Sequence, residues 1–248
     1  MLAVYEVATP WRRTAIGLAR CLRKLAESAD GASSTATLQL KSESSEVVRR
    51  NDMVSTAPFD RPLTAGDLAE MPDDGIRYEL IWGELYMSPA PNTKHLRVLG
   101  RLFVLLNGFV LREDSGEVFV APFDVRFDEF NVVQPDLLVI GSEHSNRVTE
   151  AGVVEAPDLC VEILSSGSRS RDFVKKNVLY AKFGVPEYWI VDPERERITV
   201  HVLEADQYVP QESLDGVARS QIFPGLEIDP RGLSSSPVPQ GKSSKTAD

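Results

Sequence analysis

The chain has 248 residues, 42% of them hydrophobic, which is enough for one well-buried core with tails but little more. Its formal net charge is −10, and it has only two cysteines, Cys21 and Cys160, without Cys or His neighbours at zinc-site spacing, so a disulfide scaffold and a zinc finger are both excluded. No apolar run approaches the roughly 18 residues that span a bilayer, and the N-terminus lacks a signal-peptide core, so the expectation is a cytoplasmic chain with no membrane partner.

Residues 1–52 combine a basic stretch with helical spacing, WRRTAIGLARCLRKLAESAD, and a Ser/Thr/Glu-rich stretch without period. They read as a poorly ordered N-terminal extension. The Ser/Pro/Lys-rich residues 234–248 read as a disordered tail. The domain is thus expected over 53–233. Within it, TAGDLAEMP predicts a short helix and IRYELIWGELYMSP a hairpin turning at Trp82-Gly83. A long helix is predicted from Asn92, with Leu96, Leu99, Leu102, Phe103, Leu106 and Phe109 as its core stripe. EVFVAPFDVRF, VVQPDLLVI and PDLCVEIL follow as three strands, then SRDFVKKNVLYAKFG as a helix capped by Ser170, with Asp172 in its first turn and Gly184 at its end. PEYWIVD and RITVHVLE complete a strand pair. This order predicts an α/β fold, a mixed β-sheet flanked by α-helices.

In PDLCVEIL, Leu159, Val161 and Ile163 alternate with Cys160, Glu162 and Leu164, so both faces are largely apolar and the strand should be buried on both sides. Cys160 reads as a small buried hydrophobe. A lone carboxylate there would cost several kcal/mol or be forced neutral, so Glu162 needs a cation, a donor network or an opening to solvent. Asp136, in the preceding strand, poses the same problem. If the two strands pair, the carboxylates converge, and oxygen-only ligation suits Mg²⁺. Asp172, Lys176 and Tyr180 share one face of the next helix, which can aim Lys176 at the strand end. The plain alternatives are an exposed Asp172–Lys176 pair and a buried Glu162 neutralised by Lys176.

The series VQPDLLVI, APDLCVEILSSGSRSRDFVKKNVLYAKFGVPEYWIVDP and the upstream YELIWGELY resembles the Uma-two family of restriction-endonuclease-like proteins, within the PD-(D/E)XK nuclease superfamily. The resemblance covers about residues 60–232. It implies a restriction-endonuclease-like sheet with Asp136 and Glu162 as metal ligands, Mg²⁺ as the ion with Mn²⁺ as a substitute, and DNA as substrate. The superfamily's usual lysine position, two residues after the acid, is Leu164 here, and Lys176 on the next helix stands at the family's alternative place. His95, Glu79 and Glu84 also match family positions and are weaker candidates. Asp192 either supports the Lys176 helix or ends its strand with a turn.

Residues 53–233 carry 17 Lys and Arg against 30 Asp and Glu, a net −13, so DNA binding needs a local basic patch. Arg169, Arg171, Lys175 and Lys176 form the best one. The reading is a Mg²⁺-dependent endodeoxyribonuclease with Asp136, Glu162 and Lys176 as its catalytic set. A homodimer would supply the two sites of a double-strand cut. The alternative is a catalytically inactive nuclease-fold protein that binds nucleic acid or a protein partner, and a third reading is a metal-free carboxylate-pair hydrolase.

Overall fold

The computed structural model describes residues 61–88, 90–165, 171–211, 213 and 215–235, with backbone alone at 171–173. The expected extension 1–52, Cys21, Arg169, the Ser170 cap and nearly all of the expected tail lie outside these residues, as do the side chains of Arg171 and Asp172. The chain divides into two units, one of residues 1–90 with 128–132 and one of residues 91–127 with 133–248.

The first unit holds helix α1 (Ala65–Ala69) and strands β1 (Arg77–Ile81) and β2 (Glu84–Ser88). Thr64 and Asp67 form a capping box at α1, and Arg61 grips both carboxylate oxygens of Asp67, which holds that carboxyl well below its ordinary range. The hairpin turns where it was expected. Trp82 and Gly83 both have positive φ, 57° and 73°, as a two-residue turn matched to strand twist requires. Trp82 donates its N–H to Asn131 Oδ1 at 2.8 Å, and a Cβ on Gly83 would lie 2.5 Å from Pro62 Cβ, so only glycine fits.

The second unit begins with helix α2 (Thr93–Glu113), capped by the Asn92 side chain, which accepts the His95 N–H at 2.9 Å. Its buried stripe is His95, Val98, Leu102, Leu106, Phe109 and Val110. Leu96, expected in the core, is half exposed, because the buried stripe is rotated onto His95 and Val98; Leu99 and Phe103 pack at its edge. There follow β3 (Gly116–Val120), β4 (Val125–Arg126), β5 (Val132–Val133), β6 (Leu137–Gly141), β7 (Val148–Thr149), β8 (Gly152–Val154) and β9 (Leu159–Ile163). Helix α3 (Arg171–Lys182) leads to β10 (Glu187–Asp192), β11 (Arg197–Glu204), β12 (Gln207–Gln211), β13 (Ala218–Arg219) and β14 (Glu227–Ile228).

The main sheet runs β12-β11-β10-β9-β6-β3, with β9 and β10 parallel and every other pair antiparallel, a mixed sheet as the pattern implied. Two expected strands are broken at prolines. EVFVAPFDVRF splits around Pro122 into β3 and β4, and VVQPDLLVI splits at Gln134-Pro135 into β5 and β6, so Asp136 stands just before β6 rather than inside a strand. Proline has no N–H to give a ladder. The short strands β7, β8, β12, β13 and β14 have no counterpart in the sequence reading.

Leu137, Val139, Leu159, Val161, Ile163, Trp189 and Val191 face the core that α2 covers. Cys160 and Glu162 lie on the other face, as alternation requires. Burial pushes the Cys160 thiol well up, so it stays a neutral, inert core group. Tyr188 and Trp189 are fully buried core aromatics. α3 buries Leu179 and Tyr180 and ends at Gly184, whose φ of 77° lets the Val185 N–H close on the Tyr180 carbonyl at 3.0 Å.

Candidate active site

β6 and β9 pair antiparallel with Leu137 opposite Val161 and Leu138 opposite Cys160. Continuing that register by one residue sets Asp136 opposite Glu162. Directly opposed side chains share one face with Cβ atoms about 5 Å apart. The convergence expected of the two acids therefore follows from the pairing of their strands. Both are buried, Asp136 with 3% and Glu162 with 7% of its surface exposed.

Each carboxylate is held by a different chemistry. Asp136 Oδ2 accepts the backbone N–H of Ile163 at 2.9 Å and lies 3.0 Å from His95 Nε2. A carboxylate only accepts, so Nε2 is the protonated nitrogen. His95 Nδ1 is buried and, among the described residues, has no partner. Glu162 Oε1 accepts from the Lys176 ammonium at 2.8 Å and from the Tyr180 hydroxyl at 2.9 Å. Lys176 is itself buried, 6% exposed, and both donors stand one turn apart on α3. A buried ion pair with a third hydrogen bond is the arrangement in which desolvating two charges is best offset.

The geometry thus places Lys176 on Glu162, as the shared helix face implied. Of the expected basic patch, Lys176 is buried on Glu162, whereas Arg169 and the side chain of Arg171 lie outside the described residues. Two partners were missed or underrated. Tyr180 lies four residues after Lys176, and that i, i+4 spacing was the available signal. His95 is fixed by its helix start: Asn92 stands three residues before it, the offset of an N-cap. Glu79 is buried in β1 and Glu84 exposed in β2, where it accepts from the Tyr86 hydroxyl; both belong to the first unit. Asp192 accepts the backbone N–H groups of Glu194 and Arg195 at 2.9 and 3.1 Å and the Arg195 guanidinium at 2.7 Å, so it ends β10 with a turn.

A hard divalent cation fits the donor set, since two buried carboxylates face one another with no sulfur ligand between them. Among the described residues no group of three or more His, Cys, Asp or Glu side chains forms a ready-made cage. Mg²⁺ does not need one: it is held by one or two carboxylates and completes its shell with water and phosphate oxygens.

The family model Uma2, described as "Putative restriction endonuclease", matches residues 65–231, well over half of the chain. The chain belongs to the Uma2 family. The Uma2 match spans both carboxylates, His95, Lys176 and Tyr180. In fold the chain is similar to a crystal structure of "a putative nuclease belonging to DUF820" from Anabaena variabilis ATCC 29413, with a TM-score of 0.58 and 23% identity over 70% of this chain and 98% of that one. No curated protein matches the chain. Among the described residues no helix is long and apolar enough to cross a membrane.

Proposed function

We propose that this chain is a Mg²⁺-dependent endonuclease that hydrolyses DNA phosphodiester bonds, with Asp136 and Glu162 as metal ligands, Lys176 as the charged catalytic partner and Mn²⁺ as a substitute ion. Membership of the Uma2 family and the solved nuclease of like fold support the reaction class. The observation that carries the reading is the facing of Asp136 and Glu162 across β6 and β9, with Lys176 seated on Glu162.

When bound, the ion supplies Lewis acidity and lowers the pKa of the attacking water. The chain's own residues prepare the site for it. The Ile163 N–H and His95 fix the orientation of Asp136, so no rotamer freedom is lost on binding. Lys176 and Tyr180 fix Glu162 in the same way. The Lys176 ammonium also sets positive charge where negative charge grows on the phosphoryl oxygens, and the surrounding burial strengthens that attraction.

A second reading, an inactive nuclease-fold protein that binds nucleic acid, draws on the same salt bridge: a lysine buried against Glu162 can serve only to neutralise it. One assay separates the two. Supercoiled, linear and single-stranded DNA are incubated with Mg²⁺, Mn²⁺ or EDTA, and Asp136→Asn and Glu162→Gln are compared with wild type while Mn²⁺ binding is followed by calorimetry. The expected result is metal-dependent cleavage, lost in both variants together with most Mn²⁺ affinity, with DNA binding kept. Unchanged Mn²⁺ affinity in both variants sinks the metal site, and DNA retention without cleavage under any ion favours the inactive binder.

A further inference from the structure

Two pairs of stacked phenylalanines adjoin the facing carboxylates, and all of these residues belong to the second unit. Val118 packs against the core that α2 covers, so its neighbour Phe119 stands on the opposite face of the sheet, the face of Cys160 and Glu162. Phe119 pairs with Leu138 across β3 and β6, and Asp136 stands two residues before Leu138. Phe119 is therefore a diagonal neighbour of Asp136, about 7–8 Å away, a distance that an aromatic side chain spans. The Phe123 ring lies on the Phe119 ring, with centroids 4.6 Å and planes 11° apart. Beside Glu162, Phe127 and Phe183 stack at 4.9 Å and 19°, and Phe127 also meets Tyr180, whose hydroxyl holds Glu162, at 6.0 Å.

All four rings are half-buried rather than sealed in the core, and the stretch FDVRF, residues 123–127, sets a cation between two of them. Arg126 is exposed and, among the described residues, has no ion pair. Lys182 is exposed beside Phe183, with its ammonium 5.8 Å from the ring centroid. The acid of the stretch, Asp124, accepts from the Gln134 amide at 2.8 Å. Rings interleaved with cations suit an unstacked strand, because every base has an apolar face to lay on a ring while its phosphate meets the charge. In duplex DNA those faces are stacked on one another and closed to side chains. Phenylalanine has no donor or acceptor in its side chain, so it reads no base edge.

We propose, resting on the nuclease reading above, that the substrate is single-stranded or locally unpaired DNA whose bases near the scissile phosphate lie on the Phe119–Phe123 and Phe127–Phe183 pairs. Net charge points the same way. Residues 53–233 carry −13, and duplex binding draws its affinity from many phosphate contacts with Lys and Arg, a contribution that so acidic a domain keeps small. Ring stacking does not depend on counterion release, so an unpaired strand needs fewer cations, and Arg126 and Lys182 stand where its backbone would pass. Because stacking accepts every base, cleavage should follow strandedness rather than sequence.

The test separates binding from chemistry. Fluorescence anisotropy in EDTA compares one labelled DNA oligonucleotide as a single strand, as a full duplex and as a duplex with a central unpaired bubble, each titrated with the full chain. The single strand and the bubble should bind at least about tenfold more tightly than the duplex. Phe123→Leu and Phe127→Leu keep apolar bulk but lose the ring, and each should weaken single-strand binding by about tenfold while duplex binding stays as it was. Phe123→Trp should bind the single strand as tightly as wild type, because it keeps an aromatic face. Arg126→Gln should lower the salt dependence of single-strand binding by about one phosphate contact. Equal wild-type affinity for strand and duplex overturns the proposal without recourse to any variant, as does single-strand affinity unchanged in both leucine variants. Failure of the nuclease reading looks different. Strand-selective binding without cleavage under Mg²⁺ or Mn²⁺ removes catalysis and leaves the stacking site standing, whereas equal cleavage of strand and duplex keeps the nuclease and removes the stacking site.

Discussion

Glu162 and Glu187 lie on neighbouring parallel strands, β9 and β10, and both are buried, yet they are held in opposite ways. Glu162, near the C-terminal end of β9, meets a cation and a phenol from α3. Glu187, at the start of β10, meets only neutral donors: the Trp189 indole, the Ser220 hydroxyl and the backbone N–H groups of Gln221 and Ile222. Burial is the main influence on Glu187 and pushes its carboxyl upward despite those donors. The difference teaches that a buried carboxylate does not by itself mark a reactive site. Glu187 ties residues 220–222 to β10, a structural task that neutral donors perform well. Glu162 faces a second carboxylate and shares one oxygen between an ammonium and a phenol, so its partners are charged where those of Glu187 are neutral.

The comparison breaks most sharply at Lys176. Lys176→Met should lower cleavage by about two orders of magnitude and, because it strands a buried carboxylate, cost about 3–5 kcal/mol in chemical denaturation. Adding Glu162→Gln should restore much of that stability but no cleavage. A single variant as stable as wild type would mean that the ion pair is not what holds Glu162.

Tyr180→Phe should act more mildly, since Lys176 remains on Glu162. One hydrogen bond to a charged group is lost, so the expected cost is about 1.5 kcal/mol, with cleavage reduced by about tenfold or less. A loss as large as that of Lys176→Met would shift the central role from the ammonium to the phenol.

The smallest effect on cleavage is expected from Glu187→Gln, which should leave the DNA cleavage rate at a fixed pH near wild type. Its signature is in stability. A carboxyl whose folded pKa is raised binds more protons folded than unfolded, so its contribution is complete below the unfolded pKa and is lost as pH rises through the folded one. Wild type should therefore lose stability relative to Glu187→Gln as pH climbs from the ordinary glutamate range upward, measured by denaturation across pH. Equal pH slopes in the two proteins would show that Glu187 is not perturbed by its burial.

Much of the main sheet was legible because its signals are local. The alternation in PDLCVEIL set Glu162 apart from the core face, and the spacing of Lys176 and Tyr180 put both on one side of α3. The breaks at Pro122 and Pro135 could have been read from the missing N–H groups, since long apolar runs disguised them as single strands. The rotation of the α2 stripe could not be read, because Leu96 and Val98 are equally apolar, and only the surface against which the helix packs decides between them.

By itself the sequence determined the α/β class and the order of the main helices and strands, because periodicity and caps are written in neighbouring residues, while the candidacy of Asp136, Glu162 and Lys176 drew on misplaced charge, helix spacing and the family resemblance together. Tertiary structure alone decided the partners. The register of β6 against β9, the seat of His95 on Asp136 across 41 positions of chain, and the enclosure of Glu187 by residues more than 30 positions away all depend on contacts between distant segments. Hydrogen bonds and ion pairs are chosen by where packing brings donors and acceptors together, and no local pattern encodes that meeting.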